Sequence, residues 1–261
     1  MTKNNEGMMA FGEHLEELRR MLFRILAVML VLGTAIFCFK EQTFNILFAP
    51  NSSNFITYRA IEEICRLIGM NVAFEPFTIQ LINTELSSQF MTHLTTSVYL
   101  ALLVSSPYIL TELLRFVTPA LYDNEKKYST RICVTVFMLF LVGVIMSYYV
   151  IFPFSIRFLG TYQVSADVVN MINLSSYIST FTTLTFMMGI VFQIPIICFF
   201  MAKMRILSST FMKHYRRHAL ILIMIVAAVI TPPDLFTLIL VTVPMYALYE
   251  ISITIVKKTN K

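Results

Sequence analysis

Six apolar runs alternate with polar connections along the 261 residues of this chain. A helix needs roughly 20 mostly apolar residues to cross about 30 Å of hydrocarbon. The pattern therefore predicts six membrane-spanning helices, at about 21–39, 90–110, 132–152, 177–202, 219–231 and 235–256. Pro195 in the fourth run predicts a kink. The fifth run has an apolar core of about a dozen residues, which is short for a bilayer of average thickness.

The segment before the first span has a helical pattern of its own. Phe11, Leu15, Leu18 and Leu22 follow the spacing of one helix face. Residues 1–20 are therefore expected to contain an amphipathic segment on the cytoplasmic surface that continues into the first span.

The connection after the first span, residues 41–89, is the largest between two spans. It contains a helix-like pattern at Ala60–Ile68. Connections longer than about 15 residues are usually structured or functional, so we expect a folded cap on the outer side.

Composition makes this an integral membrane protein. Hydrophobic residues make up 57% and charged residues 13% of the chain, whereas a soluble domain has about 25% charged residues. The four cysteines lack the spacing of a disulfide scaffold or a zinc site, and no nucleotide, metalloprotease or nucleophile motif occurs. His214 and His218 have metal-pair spacing, but the arginines between them favour a basic interfacial helix. We predict no metal, no cofactor and no enzymatic activity.

The net charge of +5 predicts an orientation in the membrane and not nucleic-acid binding. With the amino terminus in the cytoplasm, 16 of the 20 basic residues lie on the inner side, and four lie outside: Lys40, Arg59, Arg66 and Arg157. Cytoplasmic loops are enriched in Lys and Arg. Both termini are therefore predicted to be cytoplasmic.

Among the acidic residues on this basic inner side, two are singled out: Glu17 before the first span and Glu125 in the connection between the second and third. One interpretation is structural: acids near a helix start suit its dipole, Glu16 and Arg20 form an i,i+4 pair, and the connection is a solvated turn. The other is functional. Two carboxylates can bind a guanidinium in its planar fork and so distinguish Arg from Lys in a ligand.

Two polar residues fall inside predicted spans. Gln193 and Glu250 are candidates for contacts with partners or ligands, although Gln193 can equally bond two helices together. A buried Glu250 must be paired, hydrated or neutral. Asp234, before the sixth span, is expected to be its N-cap.

Read in order, the motifs resemble the TatC family, the multispanning subunit of the twin-arginine protein translocase. The resemblance covers nearly the whole chain. The matching segments are His14–Arg19 (HLEELR), Ser106–Pro107, Phe116–Tyr122 (FVTPALY) followed by Glu125, Phe152–Pro153, Thr231–Asp234 (TPPD), Val243–Tyr246 (VPMY) and Tyr249–Glu250.

This resemblance implies one membrane domain, residues 1–261, that forms a glove-shaped bundle of six helices with short fifth and sixth spans. It implies a receptor and scaffold in the bacterial cytoplasmic membrane that exports folded proteins using the proton-motive force. The implied partners are twin-arginine signal peptides, small single-span subunits of the TatA and TatB type, further copies of the chain and lipid. The residues it assigns to signal-peptide binding are Glu17, Arg19, Phe116, Pro119 and Glu125.

Pro50 matches a position in the outer loop that is important in the family. Two features depart from the family pattern. Gln193 stands where the family often has Glu, and the outer loop has an extra segment at 61–69. A small-molecule secondary transporter that uses Gln193 and Glu250 is the alternative, although the chain shows no repeats that would favour it.

Overall fold

The structure is a computed structural model that describes residues 11–69, 77, 79–117, 129–165 and 170–259. The described residues form long helices and two very short strands. The helices are α1 Phe11–Cys38, α2 Lys40–Phe48, α3 Ile56–Leu67, α4 Ser88–Val117, α5 Ser129–Met146, α6 Phe152–Thr161, α7 Leu174–Val191, α8 Ile194–Lys203, α9 Ser209–His214, α10 Arg216–Ile230 and α11 Leu235–Thr259. The strands are β1 Leu81–Ile82 and β2 Ile172–Asn173. The prediction of an all-α membrane protein is confirmed.

The helices fall where the apolar pattern predicted spans, and the last one is longer than the resemblance implied. Among the described residues, five helical stretches could cross a membrane by length and composition: Leu15–Cys38, Ser88–Leu113, Ile132–Thr161, Leu174–Lys203 and Leu235–Thr259. The predicted fifth span corresponds to α10, which has 15 residues and is short as expected. The resemblance implied a short sixth span. For the length of the helix this is wrong, because α11 has 25 residues. It continues through Lys257 and Lys258, whose long side chains can reach the membrane surface from within a helix.

The chain forms two compact units, and the first comprises Met1–Lys40 and His93–Phe137. It contains α1 and most of α4. The two helices approach closely where their side chains are small, since a Cβ built on Gly33 would lie 3.5 Å from the Cβ of Ala101. Nearer the outer end of α1, the ring of Phe37 stacks on His93 with centroids 4.0 Å apart. The amphipathic segment continues directly into the first span within α1, as predicted.

The second unit comprises Glu41–Thr92 and Met138–Lys261. Its third span is not one regular helix, because a π-helical turn at Ser147–Ile151 separates α5 from α6. Its fourth span is interrupted at Phe192 and Gln193. The next helix, α8, begins at Ile194 with Pro195 in its first turn. Proline lacks the N–H that a continuous helix would need, so the predicted kink at Pro195 is confirmed.

Three tyrosine hydroxyls link the connection after the first span to the other helices of the second unit. They donate hydrogen bonds to main-chain carbonyls: Tyr58 to Pro153 at 2.7 Å, Tyr148 to Ile46 at 2.8 Å and Tyr177 to Leu47 at 2.9 Å. The helix expected near Ala60–Ile68 is present as α3. Further along, β1 and β2 pair in parallel with Leu81 opposite Ile172. The described part of the connection at 41–89 is therefore folded, as its length predicted.

Candidate functional site

In the amino-terminal part of α1, two adjacent acids, Glu16 and Glu17, are followed by arginines on the next turns. Glu16 and Arg20 are four residues apart, and their side chains meet at 2.7 Å. Both side chains are more than half exposed, so this pair stabilises the helix only weakly. The pair affects the local charge balance, because the carboxylate of Glu16 neutralises the positive charge of Arg20.

Glu17 has a carboxylate oxygen with unused hydrogen-bonding capacity. The residue is half-buried. Its Oε2 atom is buried and accepts no hydrogen bond from the part of the chain that the structure describes. Leaving a buried acceptor unpaired costs about 1–3 kcal/mol, and more for a charged group. Glu17 is therefore prepared to accept a hydrogen bond from a cationic donor.

A small cavity lies beside Glu17. Its volume is about 280 Å³, and its lining residues all lie on consecutive turns of α1: Glu16, Glu17, Arg20 and Arg24. The helix pitch explains this grouping, because residues three, four and seven apart share one face. The cavity has room for a cationic side chain beside Glu17.

Arg24 is bound to an acid on another helix. One of its terminal nitrogens lies 3.1 Å from Oε2 and 3.4 Å from Oε1 of Glu112 on α4. The Glu112 side chain is 5% exposed, and that of Arg24 is 52% exposed. A carboxylate buried to this degree needs a cation nearby, because its desolvation penalty is several kcal/mol. Sequence reasoning missed this pair.

The other predicted binding residues lie on the same two helices or beyond them. Arg19 is exposed on α1, and Phe116 is half-buried on α4, one turn after Glu112. Pro119 and Glu125 lie outside the described residues. The structure thus gives the surroundings of Glu17, Arg19 and Phe116, and the role of Glu125 stays a prediction.

Glu250 is paired within the chain. Its Oε2 accepts a hydrogen bond of 2.7 Å from Arg216 at the start of α10, and its Oε1 accepts one of 3.2 Å from the hydroxyl of Tyr246. A carboxylate in a span can be paired, hydrated or neutral, and in this structure Glu250 is paired. Both oxygens are therefore engaged.

Gln193 lies at the interruption between α7 and α8. Its side-chain amide is 3.4 Å from the carbonyl oxygen of Gly189, one turn earlier. A kinked helix leaves main-chain carbonyls without their usual partners, and polar side chains restore such contacts. Gln193 is neutral, so this position carries no charge.

Asp234 and Pro50, two further residues predicted from the sequence, have roles in local structure. Asp234 directly precedes α11, and its Oδ1 accepts a hydrogen bond of 2.6 Å from the main-chain N–H of Thr237. The predicted N-cap is confirmed. Pro50 is buried in a single 3₁₀ turn, Ala49–Asn51. The amide of Asn51 bonds the main chain of Ile79, at 3.0 Å as donor and 3.3 Å as acceptor.

Comparison with known proteins decides the family. The family model for TatC, the Sec-independent protein translocase protein, matches residues 13–244. The chain belongs to the TatC family. A TatC protein of Blattabacterium is 35% identical over 257 residues, covering 97% of both chains. A TatC protein of Helicobacter pylori strain 26695 is 32% identical over 247 residues, covering 95% of this chain and 87% of the relative.

Solved TatC structures share the fold. A crystal structure described as the twin arginine translocase receptor TatC superposes with a TM-score of 0.74 at 25% identity, covering 95% of this chain and all of that one. A second crystal structure of the receptor, in the detergent DDM, gives the same TM-score over 92% of this chain. TatC membership confirms the resemblance seen in the motifs, and it favours protein translocation over small-molecule transport.

Within this TatC chain, a signal for the missed ion pair was present in the sequence. Arg24 lies three residues inside the apolar run that begins at Met21, and Glu112 lies just beyond the run that ends at Leu110. Charges at such positions are costly and are usually paired. The sequence shows that both need partners, but it does not show that they meet, because they are 88 residues apart.

Proposed function

We propose that this chain is the signal-peptide receptor and core scaffold of a twin-arginine translocase. In this role it binds precursors on the cytoplasmic side and supports export of folded proteins, driven by the proton-motive force. It acts as a receptor and scaffold, not as an enzyme. The observation that carries the proposal is the buried, unpaired Oε2 of Glu17 beside a cavity on the inner part of α1.

Recognition follows from the geometry of a guanidinium. One arginine of the signal peptide donates to Oε2 of Glu17, and Glu125 accepts from the peptide in the same site. A guanidinium forms two parallel hydrogen bonds with a carboxylate, whereas an ammonium acts as a point charge. Phe116, Pro119 and Arg19 belong to the same cytoplasmic binding site, beyond the four residues that line the cavity.

Assembly is the second part of the proposed role. The chain associates with small single-span subunits of the TatA and TatB type and with further copies of itself. Gln193 and Glu250 are the polar span residues proposed to lie near such contacts, and Pro50 supports the cap that faces outward. The crystal structures that this chain resembles are described as the translocase receptor, which supports a receptor role here.

Binding to matched precursors tests the recognition step. The full chain, in detergent or in nanodiscs, is titrated with a precursor bearing an Arg-Arg signal and with its Lys-Lys version. We expect Glu17→Gln and Glu125→Gln each to weaken Arg-Arg binding about ten- to hundredfold, since a hydrogen bond to a charged group contributes about 1.5–3 kcal/mol. The wild-type preference for Arg-Arg should shrink in both variants.

Glu41→Gln is the matched control. It makes the same charge change at an exposed residue at the start of α2, away from the proposed site, and should leave binding unchanged. If Glu17→Ala combined with Glu125→Ala binds the Arg-Arg precursor as the wild type does, the assignment of these acids is wrong.

Labelling in intact cells tests the proposed orientation. Cys38, the last residue of α1, is exposed and is first replaced by serine. Cys65 lies on α3 of the cap and is half-exposed, so in the Cys38→Ser chain a membrane-impermeant maleimide should label it from outside, and Cys65→Ser should remove that label. With Lys261→Cys introduced into the chain that carries both Cys38→Ser and Cys65→Ser, labelling should require permeabilised cells. Labelling of Lys261→Cys in intact cells would refute a cytoplasmic carboxyl terminus.

A further inference from the structure

The charges around the α1 cavity depend on a residue that does not line it. Among the four lining residues, two acids face two bases, so the cavity by itself would be neutral. Glu112 adds a third carboxylate through its contact with Arg24. The group as a whole then has one negative charge in excess, and that excess corresponds to the unpaired Glu17.

The two arginines are not equally easy to neutralise. Arg20 and its partner Glu16 are both well exposed, so water and salt screen their charges even without the pair. Arg24 lies one turn closer to the centre of the span, and its partner is nearly buried. Because Glu112 is nearly buried, water and salt screen this pair less than they screen the exposed pair of Arg20 and Glu16. Without Glu112, Arg24 would repel any cation that entered the cavity.

We propose that Glu112 is a positioning residue for peptide recognition, acting through Arg24. By binding the Arg24 guanidinium, it neutralises that charge and keeps it from competing with a ligand arginine for Glu17. Glu112 therefore sets the affinity for the arginine pair without contacting the peptide. This inference rests on the proposed function, because it explains how Glu17 stays available.

A charge-cancelling pair of variants separates this role from direct contact. Glu112→Gln leaves Arg24 without its acid and makes the cavity group neutral, so we expect binding of the Arg-Arg precursor to weaken on the order of tenfold. The double variant Arg24→Gln with Glu112→Gln removes both charges and restores the single negative excess. Its affinity should return to within about threefold of the wild type.

The double variant can overturn the proposal even if Glu112→Gln cannot be produced. It buries no unpaired charge, so it is the variant better suited to fold, and its thermal midpoint in detergent reports whether it does. The proposal is wrong if the folded double variant binds the Arg-Arg precursor as weakly as Glu112→Gln does. It is also wrong if the single variant cannot be produced and the double variant binds weakly. In either case Glu112 contacts the peptide or shapes the fold.

Glu16→Gln is the matched control for net charge. It makes the same charge change beside the same cavity, but it frees the exposed Arg20. We expect a smaller loss of affinity than with Glu112→Gln. An equal loss would mean that net charge alone decides affinity, and would remove the special role of the Arg24–Glu112 pair.

The wild type and Glu17→Gln distinguish a failure of the proposed function from a failure of the positioning role of Glu112. If the wild type does not prefer Arg-Arg over Lys-Lys, the proposed function fails and this inference fails with it. If the wild type shows the preference, Glu17→Gln abolishes it and Glu112→Gln leaves affinity unchanged, the proposed function stands and the positioning role alone is refuted.

Discussion

Tyr58 of α3 donates a hydrogen bond of 2.7 Å to the carbonyl oxygen of Pro153 in α6, and both residues are buried. The ring of Tyr58 also faces the guanidinium of Arg157, whose central carbon is 5.3 Å from the ring centroid. The same guanidinium lies 4.9 Å from the centroid of Phe77. One tyrosine thus joins the outer cap to the outer end of the third span through its hydroxyl and its ring.

Removing the hydroxyl should weaken this joint measurably. We expect Tyr58→Phe to lower the free energy of unfolding by about 0.5–1.5 kcal/mol, because the ring stays and one hydrogen bond is lost. Tyr58→Ala should cost about 3–5 kcal/mol, since a buried aromatic ring is also removed. Thermal unfolding in detergent gives both values. Tyr162→Phe, at a residue 62% exposed, is the control and should change little.

Alkaline pH should act on the same tyrosine. Burial raises the pKa of Tyr58 above its ordinary value of 10.0, and the nearby Arg157 offsets part of that rise. The folded state therefore holds the phenol proton more tightly than the unfolded state. This contribution to stability is complete below about pH 10 and decreases as pH rises further.

Stability measured from about pH 8 to about pH 11 checks this expectation. The thermal midpoint of the wild type should fall more steeply above about pH 10 than that of Tyr58→Phe, which has no proton to lose at this position. Parallel curves for the two proteins would show that burial of Tyr58 does not contribute to the alkaline loss.

The sequence predicted most of the helices because spanning a bilayer restricts composition over about 20 residues. The interruption at Gln193 was predictable from Pro195, and the short α10 from the length of its apolar run. By contrast, the π-helical turn at Ser147–Ile151 has no proline, glycine or charge within it. Its five residues are as compatible with a regular helix, so local sequence does not indicate it.

The candidate site was predictable only in part. Glu17 was predicted through the HLEELR motif, since charge alone does not distinguish it from the neighbouring Glu13 and Glu16. The neutralisation of Arg24 by Glu112 depends on how α1 and α4 pack, and no periodicity within one helix records a partner on another. The pairing of Leu81 with Ile172 was likewise not predictable, because a strand of two residues is too short for its sequence pattern to be recognised.

The N-cap of α11 provides a test of local helix stabilisation. Asp234→Ala removes the acceptor for the N–H of Thr237, and we expect a loss of about 0.5–2 kcal/mol in unfolding free energy. Asp234→Asn keeps an acceptor oxygen without the charge and should retain most of the stability. If the Asn variant is as unstable as the Ala variant in thermal unfolding, the negative charge matters and the cap hydrogen bond does not.

Gly143 of α5 tests the closeness of two helices in the second unit. A Cβ built at this position would lie 2.6 Å from the carbonyl oxygen of Met188 and 3.0 Å from the Cα of Gly189, both in the main chain of α7. Alanine is the better helix former by about 1 kcal/mol, so helix propensity alone predicts that Gly143→Ala stabilises the protein. The contact predicts the opposite. Main-chain atoms cannot move aside as a flexible side chain can, and overpacking typically costs about 1–3 kcal/mol.

We therefore expect Gly143→Ala to lower the midpoint of thermal unfolding. Gly33→Ala is the matched control in another span, where the new Cβ would be 3.5 Å from the nearest atom, at ordinary contact distance. It should leave the midpoint unchanged or raise it, because the gain in helix propensity meets no clash. If Gly143→Ala raises the midpoint as much as Gly33→Ala does, α5 and α7 can separate at little cost, and their close approach does not limit the side chain at residue 143.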